Sequence, residues 1–159
     1  MAMQGLTTCL WFDDQAEDAA RFYVATFPDS TIGGISHYPA GAQRPEGSVL
    51  TVEFTLFGQS FLALNGGPHF PHSPAVSFQV FCDTQEEVDR LWAALTDGGA
   101  ESMCGWCSDR FGVSWQVIPR RLTQLLSSRE PGVAQRANAA MMTMHKIDVA
   151  ALEAAVADA

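Results

Sequence analysis

A pattern near the N-terminus recurs 69 residues later: Phe12, Asp14, Glu17 and Arg21 fall on Phe81, Asp83, Glu86 and Arg90, and Tyr23 falls on Trp92. In each copy the pattern joins the end of a β-rich run to the start of a helical one. A duplicated strand-and-helix unit restricts the chain to folds built from two like modules that share a core.

Residues 7–12 read as a strand from their β-branched and aromatic content, and Asp13 and Asp14 are placed to cap the helix that follows. Ala16, Ala19, Ala20, Tyr23 and Phe27 then keep a helical period, which Pro28 ends. Strands are predicted over 31–38, 49–57 and 59–65, the last two joined tightly at Gly58. Residues 39–47 form a Gly- and Pro-rich loop, a candidate pocket rim, and residues 65–74 form a second such loop between the halves. The second copy opens with a strand over 75–82. Thr84 and Glu87 make a capping box, Val88, Leu91, Trp92 and Leu95 share one helical face, and Gly98 and Gly99 end the helix. Strands near 101–107 and 112–119 complete it. The remainder is helical: a short turn or two over 122–127, an Ala- and Met-rich stretch from Pro131 to about His145, and a last helix capped by Asp148 with Val149, Leu152 and Val156 on its buried face. This tail has to pack on something, a second subunit being one option. The fold class is α+β in one domain spanning 1–159, with module one at 5–67, module two at 75–119 and the helical tail at 120–159.

Composition narrows the function. Eighteen acidic residues against nine basic ones give a net charge of −9, a field that repels nucleic acid and anionic membranes. No apolar run reaches the ~18 residues of a membrane span, and the N-terminus has neither a basic region nor an apolar signal core. The expectation is a cytoplasmic protein with no nucleic-acid or membrane partner, in which Cys9, Cys82, Cys104 and Cys107 are free thiols.

Several constellations suggest chemistry and then fall short of it. Cys104-Gly105-Trp106-Cys107 matches C-x-x-C, but no helix N-terminus is predicted there to lower a thiol pKa. His69 and His72 lie in the connector, and His145 in the tail. The glycine pairs at 33–34, 66–67 and 98–99 lack the strand-to-helix setting of a phosphate loop.

Leu10-Trp11-Phe12-Asp13 through Phe22-Tyr23, the hairpin Phe61-Leu62-Ala63-Leu64-Asn65-Gly66-Gly67, Cys104-Gly105-Trp106 and the tail Met141-Met142-Thr143-Met144-His145-Lys146-Ile147-Asp148 together resemble the PhnB-like family of the vicinal-oxygen-chelate superfamily. So, most specifically, does Asp109-Arg110-Phe111-Gly112-Val113-Ser114-Trp115-Gln116. The resemblance implies paired βαβββ modules whose curved sheets enclose a pocket, in a homodimer. Members of the family are often labelled demethylubiquinone methyltransferases, yet the sequence has no Gly-rich loop to seat a nucleoside cofactor.

Related enzymes such as glyoxalase hold a divalent metal through four side chains. Alignment through Phe22-Tyr23 and Phe111-Gly112 places Thr8, the neighbourhood of Ala63, Ser77 (or Ala75) and Gln116 at those positions. None is a good metal ligand, so no metal and no other cofactor is expected. The resulting expectation is a pocket for a small-molecule ligand lined by Thr8, Asn65, Ser77, Trp106, Ser114 and Gln116. Ser114, Gln116 and Ile118 share one side of their strand. The alternative is a metal-independent enzyme drawing its acid, base or nucleophile from His37, Glu53 or Cys104.

Overall fold

A computed structural model describes residues 5–157, and the chain divides into two compact units, one ending at Pro71 and the other starting at His72. In the first unit β1 (Thr8–Phe12) leads into α1 (Ala16–Thr26), followed by β2 (Thr31–His37), β3 (Val49–Leu56) and β4 (Gln59–Asn65). The strands form one sheet in the order β1-β4-β3-β2, with β1 parallel to β4 and the other pairs antiparallel. The small residues Ala16, Ala19 and Ala20 let α1 lie close on the sheet, and Tyr23 stacks on Phe54 with ring centres 6.0 Å apart. Leu10, Phe12, Val52, Phe54, Phe61 and Ala63 form the sheet's side of that core.

The second unit repeats the plan. It contains β5 (Ser77–Cys82), α2 (Gln85–Thr96), β6 (Ala100–Glu101), β7 (Trp106–Ser108) and β8 (Ser114–Pro119), paired in the order β5-β8-β7-β6, again with the outer βα strand parallel to the last. The capping box is present, with Thr84 Oγ1 accepting from the Glu87 N–H at 3.2 Å. Val88, Leu91, Trp92 and Leu95 are the buried face of α2.

The two copies differ in a way the repeated residues conceal. The helices superpose in the expected register, Tyr23 on Trp92. Along the strands, however, buried Leu10 and Phe12 correspond to buried Val80 and Cys82, one residue beyond Gln79 and Phe81. Side chains alternate along a strand, so this one-residue offset puts Phe12 in the core and Phe81 on the opposite, open face. The matching phenylalanines therefore do different jobs.

Three sequence expectations need correction. Asp13 and Asp14 do not cap α1: the residue before the helix is Gln15, whose side chain makes no capping bond, and the Ala16 N–H is instead accepted by Asn65 Oδ1 from β4 at 2.8 Å. The single strand expected over 101–107 is split. Cys104 and Gly105 both adopt left-handed backbone angles (φ 61° and 81°), and their N–H groups donate to the Met144 and His145 carbonyls at 2.7 Å. A side chain at Gly105 would sit 2.8 Å from the Val117 carbonyl, so this close crossing requires glycine. The Ala- and Met-rich helix is also shorter than expected, covering Val133–Met141 (α4) between α3 (Arg120–Leu126) and α5 (Val149–Ala157).

These three helices close a small core of their own within the second unit. Leu122, Leu125, Ala137, Ile147 and Leu152 are its buried centre, and Ile118 of β8 packs against it. The tail's apolar face is thus covered inside its own unit. Asp148 caps α5 as expected, accepting from the Ala151 N–H at 2.9 Å. No helix among the described residues is long and apolar enough to cross a membrane.

Candidate functional site

In each unit a helix covers one face of the sheet and leaves the other open. On the second sheet the open face carries Ser77, Gln79 and Phe81 of β5, Ser114, Gln116 and Ile118 of β8, and Trp106 of β7, which the strand register sets side by side. Gln116 is central to it. Its amide nitrogen donates to Ser77 Oγ at 2.8 Å, and its amide oxygen accepts from Gln79 Nε2 at 3.0 Å. Trp106 pairs with Gln116 across the β7–β8 ladder, and among the described residues its indole N–H has no hydrogen-bond partner.

A cavity of about 500 Å³ lies over this face, floored by Gln79, Gln116, Trp106, Phe81 and Ile118 and walled by α3 through Leu122, Thr123, Leu126 and Ser127. That volume is in the range of small-ligand pockets. Cys104 and Met141 complete the lining. The helical tail, which the sequence left without a role at the pocket, thus supplies one of its walls. Gln79 was also missed, although its place two residues beyond Ser77 on the same strand was the available signal.

The remaining expected site residues fall elsewhere. Ser114 is on the right face but buried, at the edge of a smaller cavity of about 190 Å³ shared with Trp106 and Ser108. Asn65 is 4% exposed and fully engaged: besides accepting from Ala16, it donates to the Val49 carbonyl at 3.1 Å. It organises the end of the sheet. Thr8 shares the helix-facing side of β1 with Leu10 and Phe12 and pairs with Phe61, so the open-face residue is Thr7. His37 is exposed at the end of β2 and lines neither large cavity. Glu53 lies on the open face of the first sheet, in a cavity of about 490 Å³ that contains Thr7, Thr55, Ser60 and Leu62.

The C-x-x-C pair does not have the electrostatics of a redox site. Burial, with Asp109 and Glu101 adding to it, pushes the Cys107 thiol up to about 12, the reverse of what a thiolate nucleophile needs. Cys104 faces the large cavity with its sulfur 3.6 Å from Met142 Sδ.

Asp109, the first residue of the eight-residue motif, is 3% exposed. Its carboxylate accepts from the Phe111 and Val113 N–H groups at 2.8 and 3.1 Å and from Trp115 Nε1 at 2.8 Å. Those bonds fold the turn that feeds β8 and so hold Gln116 in register.

The donor set does not fit a catalytic divalent metal. Ser77 and Gln116 are the second module's pair, and internal symmetry makes Thr7 and Leu62 their first-module counterparts, each one residue before Thr8 and Ala63. These are two hydroxyls, an amide already bonded at both ends and a hydrocarbon, where three good nitrogen or oxygen donors are needed. Among the described residues no three His, Cys, Asp or Glu side chains come together at a metal-binding spacing.

Two βαβββ modules, each with one helix-covered and one open sheet face, define an α+β fold of duplicated sheet-and-helix units. Within it, residues 4–118 match the family described as 3-demethylubiquinone-9 3-methyltransferase. A PhnB protein from Bacillus cereus is 37% identical over 73% of this chain and 99% of its own, with a TM-score of 0.67. The chain belongs to this PhnB-like family. Protein PA1353 from Pseudomonas aeruginosa shares the fold at 20% identity over 74% of this chain and 98% of its own, with a TM-score of 0.59. No curated protein matches the chain in sequence.

Proposed function

We propose that this protein binds a small, uncharged, partly aromatic molecule in the cavity of its second unit, without a metal. The observation that carries this reading is the Ser77–Gln116–Gln79 chain of hydrogen bonds lying beside an indole N–H that has no partner among the described residues. A flat ligand would rest against Trp106 and Phe81, accept from the indole N–H, and meet an amide whose orientation is fixed by both neighbours. Fixed donors and acceptors favour selective binding because an ill-matched ligand leaves them unpaired.

Methyl transfer, which the family's description names, draws no support from the two strand-to-helix connections. Asp13-Asp14-Gln15 and Asp83-Thr84 are acidic, carry no glycine, and offer a nucleoside cofactor no cradle. One observation favours a second reading, a metal-independent enzyme: Cys104 brings a thiol to the same cavity in a left-handed backbone conformation, and backbone strain of this kind gathers at functional sites. The proposal extends to a homodimer, and to two units that act as one domain and unfold in a single transition.

The test is metal analysis of the purified protein, followed by thermal-shift scans against divalent cations, S-adenosylmethionine and a library of neutral heteroaromatic compounds. The expected outcome is no bound metal, no cation or cofactor shift, and a heteroaromatic ligand whose shift of about several degrees disappears in Gln116→Leu. Stoichiometric metal, or a shift with Mn²⁺, Ni²⁺ or Zn²⁺, would overturn the metal-free reading. Turnover of the ligand that vanishes in Cys104→Ser would move the enzymatic reading to the front.

A further inference from the structure

Glu53 is the feature of the first unit that the proposed ligand does not use. It projects from β3 on the open face, since Val52 and Phe54 on either side point into the core. Around it are uncharged groups: Thr51 and Thr55 two residues away on the same strand, and Leu62 directly across on β4. A sheet face that only meets water ordinarily mixes charges of both signs. Here one carboxylate stands among hydroxyls and hydrocarbon.

The backbone makes room for it. β2 changes register opposite Glu53, between Ile32 and Ile35, and the two residues in that interval are Gly33 and Gly34. A side chain at Gly33 would approach Glu53 Cβ at 3.1 Å and its carbonyl oxygen at 3.2 Å, and one at Gly34 would approach Oε2 at 3.3 Å. Bulges of this kind re-aim a neighbouring side chain. The carboxylate lies in the space these residues leave clear, at the side of the 490 Å³ cavity that Thr7, Thr55 and Ser60 also line. Among the described residues it has no hydrogen bond and no ion pair. A counter-ion position with hydroxyl acceptors around it and an apolar floor is therefore present and unmatched.

We propose that this cavity binds an organic ammonium group. Glu53 is its counter-ion, the Thr7 and Ser60 hydroxyls accept its remaining N–H bonds, and the Leu62 side chain contacts the apolar body. The net charge of −9 adds a long-range attraction for cations. Every residue that lines this site belongs to the first unit.

Three probes with the same ring isolate the charge: benzylammonium, benzyl alcohol and benzoate, titrated by calorimetry and by chemical-shift perturbation. Glu53 is exposed, so Glu53→Gln should keep the fold, checked by its melting temperature. The expected result is saturable binding of benzylammonium at least about tenfold tighter than benzyl alcohol, no binding of benzoate, weakening with salt, and loss of the preference in Glu53→Gln but not in Glu53→Asp. Equal affinity for the ammonium and the alcohol, ammonium binding unchanged in Glu53→Gln, or no saturable binding up to about 10 mM would each overturn the proposal.

Discussion

Asn65 Oδ1 accepts the N–H of Ala16 at 2.8 Å, so the last residue of β4 caps a helix that begins 49 positions earlier in the chain. The same amide donates to Val49 at the start of β3. One buried side chain thus ties together the start of α1, the end of β4 and the hairpin partner of β4.

Asn65→Ala removes all of this at once. It leaves the buried Ala16 N–H unsatisfied and removes the part-buried bond to the Val49 carbonyl, and the expected loss is about 2–3 kcal/mol of unfolding free energy in urea titration. Amide exchange at Ala16 should accelerate with it. A loss below about 0.5 kcal/mol, the size of an ordinary surface substitution, would show that water or Gln15 takes over the cap.

This capping arrangement explains where the sequence was legible and where it was not. The helical faces, the hairpin at Gly58 and the capping box at Thr84 are local: each can be read from residues within a turn or two of one another, and each is present. The cap on α1 was invisible because its donor and acceptor are brought together only by the parallel pairing of β1 with β4. The pocket suffered from the same limit in another form. Ser77, Trp106 and Gln116 share one open face, while Thr8 faces the helix with Leu10 and Phe12; the strands of the two modules are offset by one residue relative to their helices because the strand-to-helix connection is one residue longer in the first module than in the second. A slip of one residue turns a strand over. The pocket wall made by α3 depends on tail packing, which no local pattern encodes.

Asp109→Asn should expose the architectural role of the eight-residue motif. The amide can still accept from the Phe111 and Val113 N–H groups, but its NH₂ then faces the Trp115 indole N–H, donor against donor. A loss of about 2–3 kcal/mol is expected, with a change in tryptophan emission. Binding in the second cavity should weaken as β8 loosens. Unchanged stability would mean that the turn is held by its backbone alone.

The four thiols should separate by reactivity. Burial pushes Cys82 up to about 11 and Cys107 up to about 12, while Cys104 faces a cavity. Iodoacetamide near pH 8 should label Cys104 in the native protein, Cys9 more slowly because desolvation raises its pKa, and Cys82 and Cys107 only on unfolding. For a thiol whose folded pKa is raised, the unfolded chain releases its proton first. Stability is therefore full below about pH 9 and falls as pH rises through 11 and 12. Cys107→Val should flatten part of that decline, and native labelling of Cys107 at the rate of Cys104 would contradict the burial on which the argument rests.

Gln85 ties the tail to α2. Its amide nitrogen donates to the Ile147 carbonyl at 3.1 Å and its oxygen accepts from the Val149 N–H at 2.9 Å, on either side of the Asp148 cap. Ile147 is fully buried among Leu122, Leu125, Ala137 and Leu152, and α3, which contributes Leu122 and Leu125, is also the helix that walls the cavity. Gln85→Ala should cost about 1–2 kcal/mol, chiefly through the two bonds it makes to the tail, its third, to Asp89, being exposed, and Ile147→Ala about 2–4 kcal/mol through the void it leaves. The two variants differ in what they do to the pocket. Ile147→Ala removes support directly beneath α3 and should weaken ligand binding in the second cavity. Gln85→Ala releases the start of α5 and should raise amide exchange there with little change in affinity. If both variants weaken binding equally, the tail acts as one rigid body; if neither does, α3 is held by its junction with β8 alone.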